Sequence, residues 1–147
     1  MKRGAVVLWS VLSMILLGAA SAAAGDVDPT GSWRVARSNS KTMGMCPMGG
    51  NGSGALEIEK AAGGLTLTYG EGMTCRPPEV CRLSGSENDG TYTFTTTVPV
   101  DDEGGKVTNT AELVFTSANA AQGSGSSRYV HPEGFSCTWT FDITLSR

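Results

Sequence analysis

The chain has 147 residues, with 11 basic and 14 acidic side chains, 20 glycines and 39% hydrophobic content. The basic residues are scattered without a run of three, which argues against nucleic acid or an anionic membrane face as partner, since both reward clustered Lys and Arg. Abundant glycine with ordinary apolar content points to many tight turns and not to a disordered chain.

Residues 1–24 have the anatomy of a secretory signal peptide. Lys2 and Arg3 open it, an uncharged apolar run follows from Ala5 to Leu17, and Ala20-Ser21-Ala22-Ala23-Ala24 supplies small residues for cleavage. The apolar run is too short for a membrane span, so no stable membrane insertion is expected after cleavage. Cleavage is expected after Ala24, with Ala22 as second choice, and no Cys follows to carry a lipid anchor. The expected location is secreted or periplasmic. Removing Lys2 and Arg3 leaves 9 basic against 14 acidic residues, a net charge of −5. The remaining chain of about 123 residues suits one domain, 25–147, with a single core.

Period-two alternation runs through this domain and predicts strands at 31–38, 55–60, 65–70, 80–85, 91–99, 106–117, a short one at 127–131, and 136–146. Leu56 and Ile58 oppose Glu57 and Glu59; Leu65, Leu67 and Tyr69 oppose Thr66 and Thr68. Tyr92, Phe94 and Val98 oppose a Thr-rich face. Ala111, Leu113 and Phe115 oppose Thr110, Glu112 and Thr116, with Val114 breaking the polar face. In the last segment Cys137, Trp139, Phe141, Ile143 and Leu145 share one face. Clean alternation with β-branched and aromatic residues suits antiparallel sheet with one wet face. Ala61-Ala62-Gly63-Gly64 and Asn88-Asp89-Gly90 read as hairpin turns, Asp101-Asp102-Glu103-Gly104-Gly105 as an acidic turn, and Gly123–Ser127 as a flexible loop tip or frayed strand start. The fold class is all-β: an antiparallel up-and-down meander of seven to eight strands, closing into a barrel or, alternatively, folding as a β-sandwich.

The first strand begins Gly31-Ser32-Trp33. A Gly-x-Trp at the head of the first strand resembles the start of lipocalins and other calycin-like barrels, including avidins and small bacterial inhibitors of secreted metalloproteases. The resemblance implies that Trp33 plugs the closed end of a barrel beneath a basic side chain from the last strand. Arg147 is the only basic residue in that segment. The sequence departs from avidins, which line their ligand with several Trp; beyond the signal segment only Trp33 and Trp139 occur.

Cys46, Cys75, Cys81 and Cys137 are an even set in an exported chain, so two disulfides are expected out of three possible pairings. Arg76-Pro77-Pro78-Glu79-Val80 reads as a turn that brings Cys75 to Cys81, leaving Cys46 to tie the loop after the first strand to the start of the last. In a closed meander those strands are neighbours. The paired short spacings of a four-thiolate zinc site are missing.

Met43, Met45 and Met48 surround Cys46 within eight residues, and Met73 precedes Cys75. The plain reading is an adaptable apolar loop over a barrel end. The chemical reading is a Cu(I) site, because thioethers suit that soft ion; it draws in all four Met if Cys75 lies beside Cys46. Gly49-Gly50-Asn51-Gly52-Ser53-Gly54 reads as a linker.

Nothing in the sequence asks for catalysis. His131, the only His, reads as exposed before a turn, the carboxylate pairs read as solvated charge, and no nucleophile elbow, His-Glu-x-x-His or phosphate-binding loop occurs. No cofactor is expected. The functional expectation is an exported, non-catalytic β-barrel that binds a small apolar ligand lined by Trp33, Tyr69, Phe94, Phe115, Trp139 and Phe141. The alternatives are an inhibitor or partner-binding module acting on a secreted protein, a Cu(I) protein, and a purely structural envelope domain.

Overall fold

A computed structural model describes residues 27–147; the signal-peptide expectation for 1–24 lies outside the described residues. Eight antiparallel strands run in meander order and close into a barrel: β1 (Gly31–Met43), β2 (Gly52–Ala61), β3 (Gly64–Tyr69), β4 (Arg82–Asn88), β5 (Thr91–Pro99), β6 (Lys106–Ser117), β7 (Ala120–Val130) and β8 (Ser136–Ser146). β1 pairs with both β2 and β8, so closure leaves neither the first nor the last strand unpaired. A short 3-10 turn, Pro78–Cys81, precedes β4.

Alternation does what the sequence implies. Trp33, Val35, Leu56, Ile58, Leu67, Leu83, Phe94, Leu113, Phe115, Ile143 and Leu145 are buried in one cluster, while Glu57, Glu59, Thr93, Thr95 and Glu112 face out. Outer Thr pairs meet across strands, with 2.9 Å between the hydroxyls of Thr97 and Thr108. The Asn88-Asp89-Gly90 turn forms with positive φ at Asp89 and Gly90, as a two-residue hairpin requires.

The main departures from the predicted strand bounds fall in β1, β2, β4 and β7. β1 continues past residue 38 because a bulge between Ser38 and Lys41, with Asn39 at φ 52°, resets its register against β8. β2 starts earlier, so Gly52 to Gly54 are strand and not linker. β4 starts at Arg82, since residues 78–81 coil into the 3-10 turn. The largest correction is Gly123–Ser127, which is the middle of β7. A Cβ at Gly125 would strike the Phe141 ring, so this glycine makes room for an aromatic inside the barrel. Gly85 does the same for Phe94.

Both expected disulfides form: Cys46–Cys137, spanning 91 residues, and Cys75–Cys81, spanning 6. They fit an oxidising compartment. Among the described residues no helix is long and apolar enough to cross a membrane.

Candidate functional site

Meander order puts alternate connections at the same end. Two-residue turns close one end, at 62–63, 89–90 and 118–119; the longer connections 44–51, 70–81, 100–105 and 131–135 gather at the other.

The short-turn end is sealed. Trp33 is buried and its indole N–H donates to Pro29 O at 2.9 Å. The Arg147 guanidinium lies 4.0 Å from the Trp33 ring centroid. It donates to Ala118 O at 2.6 Å, Thr30 O at 2.7 Å and Asp28 O at 3.3 Å, joining the β6–β7 turn to the segment before β1. Phe115 packs on Trp33 with centroids 5.3 Å apart, and Tyr92 meets Phe115 edge-on.

The long-loop end holds a cavity of about 210 Å³. Arg37 lines it because it continues the inward series Trp33, Val35, Arg37 along β1. Its guanidinium carbon sits 4.9 Å from the Tyr69 centroid and 4.5 Å from that of Phe141. Arg37 Nε is buried and has no hydrogen-bond partner. Burial holds the Tyr69 phenol above its usual pKa, with Arg37 beside it acting the other way. Arg76, Thr74, Asn109, Ser126 and Ser127 add polar groups, and no carboxylate lines the cavity. Asn109 Nδ2 donates to Val80 O at 2.8 Å and so anchors the 3-10 turn over this mouth. Larger depressions of about 640 and 580 Å³ lie on the outer wall, the first among exposed Asn39, Lys41, Glu112 and Asp142, the second among exposed Arg34, Ala36, Glu71 and Thr144.

Of the six aromatic candidates only Tyr69 and Phe141 line the interior cavity. Trp33, Phe94 and Phe115 are packed into the core. Trp139 is half-buried beneath the 44–51 loop, where its indole N–H donates to Pro47 O at 3.0 Å. Met43 at the end of β1 and Met45 and Met48 in that loop are exposed to solvent, whereas Met73 packs against the core from the β3–β4 connection.

His131 corrects the sequence reading: it is only 6% exposed. Its ring stacks on Phe135 at 4.4 Å, the Glu133 N–H points to Nδ1 at 3.2 Å, and Nε2 lies 3.1 Å from the Glu103 carboxylate. Asp101 accepts from Gly105 N at 2.7 Å, Glu103 N at 3.1 Å and the Tyr129 hydroxyl at 2.9 Å. Those bonds, the Gly105 N–H foremost, hold its carboxyl below the usual range. Together these groups tie the 100–105 connection to the 131–135 one. Among the described residues no three His, Cys, Asp or Glu side chains gather as a metal site.

Arg37 and His131 are the residues that sequence reasoning missed. Arg37 was detectable, since alternation from Trp33 places it inward. His131 carries no such signal, because its burial comes from Phe135 and Glu103 in two separate loops.

Compared with known proteins, the chain matches no family model, no curated protein and no solved structure.

Proposed function

We propose that this is an exported, non-catalytic, calycin-like barrel that binds a small organic anion in the open end, with Arg37 as the anchoring cation. The Gly31-Ser32-Trp33 start, the meander order and the Arg147 side chain over Trp33 support the calycin-like reading. The observation that carries the ligand class is the buried, unpartnered Nε of Arg37 facing a cavity with a second arginine and no carboxylate. A buried donor left without an acceptor is costly, and on this half-buried arginine a carboxylate answers both the hydrogen bond and the charge. The cavity shifts the ligand from the apolar expectation to a polar one. At about 210 Å³ it lies below the usual range for drug-sized ligands, so the ligand is a small one. The Tyr69 and Phe141 rings both pack against the guanidinium and fix it at the cavity wall, while Nε is the donor left without a partner.

The test is thermal denaturation of the oxidised protein with a panel of small carboxylates and their neutral amides, repeated in Arg37→Met. A carboxylate at a hundred times its Kd should stabilise by about 2.7 kcal/mol. The matching amide should not, and Arg37→Met should lose the effect. Equal responses to acid and amide, or equal responses of wild type and Arg37→Met, would reject the reading.

A further inference from the structure

The binding cavity does not account for Met43 at the end of β1 or for Met45 and Met48 in the 44–51 loop that follows. Met43 is 61% exposed, Met45 101% and Met48 92%, so none of them fills a gap in the core. Leaving three large apolar side chains in water forgoes the burial that normally justifies them.

The backbone that carries them is nonetheless held in place. Cys46 is bonded to Cys137 on β8. Pro47 O accepts the Trp139 indole N–H at 3.0 Å, and Gly49 N–H donates to Thr42 Oγ1 at 2.9 Å. Gly44 turns the chain at φ 100°, where an added Cβ would meet Ser136 O. Gly49 lies so close to the Trp139 indole that a Cβ would overlap it. The Thr42–Gly49 hydrogen bond closes the loop on itself, so Met43 and Met48 leave from its two adjoining ends and Met45 from its bend. Three thioethers are thus displayed from one small fixed frame on rotatable stems.

From this juxtaposition of Met43, Met45 and Met48 on a pinned loop we propose a binding site for one soft monovalent ion, Cu(I) or Ag(I). Three thioether sulfurs offer a trigonal, uncharged, soft donor set, which selects Cu(I) over the harder divalent ions. Both cysteine pairs are oxidised, so the thioethers are the soft donors that remain usable in an oxidising compartment. Binding needs no deprotonation, unlike a thiolate or imidazole site, and so persists at acid pH. Met73 takes no part, being packed against the core. The site is independent of the anion cavity, with which it shares no lining residue.

The experiment titrates Ag(I), which needs no reductant, into the folded, disulfide-bonded protein in chloride-free buffer. Native mass spectrometry reads the stoichiometry and tryptophan emission reads the place. Trp139 lies under the loop and Trp33 at the far end beneath Arg147, so a bound ion perturbs Trp139. The expected result is one ion per chain at micromolar or tighter affinity, with the same ion held at pH 5. Each single Met→Leu substitution at 43, 45 or 48 should weaken it roughly tenfold or more, since losing even an outer-shell partner of a metal ligand commonly costs that much. These side chains are exposed, so the Leu variants should keep the wild-type near-UV dichroism. Absence of binding, binding undiminished in the triple Leu variant, or loss of the ion in His131→Asn instead would overturn the proposal.

Discussion

Arg147 offers the sharpest test of how the sealed end is held. Replacing it with Ala removes two short hydrogen bonds to Ala118 O and Thr30 O, a longer one to Asp28 O, and a cation 4.0 Å from the Trp33 centroid. The side chain is exposed, so each short bond is set at a net value of about 1 kcal/mol and the long one at about half that. The ring contact adds about 0.5–1 kcal/mol. The expected loss is about 3 kcal/mol, which for a domain of this size lowers Tm by about 12 °C. Arg147→Lys keeps a charge over the ring but cannot span three carbonyls, so it should lose about half as much. Differential scanning calorimetry on wild type and both variants provides the measurement. If Ala and Lys variants melt within about 1 °C of wild type, the guanidinium is a bystander and Trp33 seals the barrel unaided.

Three other outcomes are expected. Replacing Cys46 and Cys137 by Ala should cost about 4–5 kcal/mol by urea denaturation, and replacing Cys75 and Cys81 about 2 kcal/mol, because the longer loop loses more freedom when closed. Gly125→Ala should destabilise by about 1–3 kcal/mol, since the new methyl overlaps the Phe141 ring; circular-dichroism melting reads it. Asp101 has a folded pKa below its unfolded value, because it accepts Gly105 N–H and the Tyr129 hydroxyl. Its stabilisation is therefore complete above the ordinary carboxylate pKa of about 4 and fades as pH falls through the lowered folded value. Asp101→Asn should flatten that acid-side decline, read as Tm against pH.

The fold was legible because period two is a direct imprint of a wall with one wet face. Leu56/Ile58 and Ile143/Leu145 carry it without ambiguity. It failed at Gly123–Ser127, where the inward positions are glycine: room for Phe141 is supplied by an absent side chain, and absence reads as a loop. The disulfides followed from topology once the meander was assumed to close. The cavity was less legible. Aromatic residues suggested a lined apolar pocket, but Trp33, Phe94 and Phe115 fill the interior, and volume filling is a three-dimensional sum that alternation does not report. Arg37 continues the inward series Trp33, Val35, but alternation alone does not tell a charged residue that lines a cavity from one that ends the buried run.

The β1–β8 seam has a consequence for how the protein is made. Every other ladder joins strands next to each other in sequence, so those hairpins can form from local contacts alone. The seam must wait for Ser136–Ser146, because no earlier segment can pair with the outer side of β1. Until then β1 and β7 are raw edges, and Cys46 is a thiol whose partner does not yet exist. Such an intermediate offers both a template for strand addition and a site for intermolecular cross-linking. Arrival of the last strand removes both hazards in one event, since Ser136–Ser146 pairs with both open edges and brings Cys137 to Cys46.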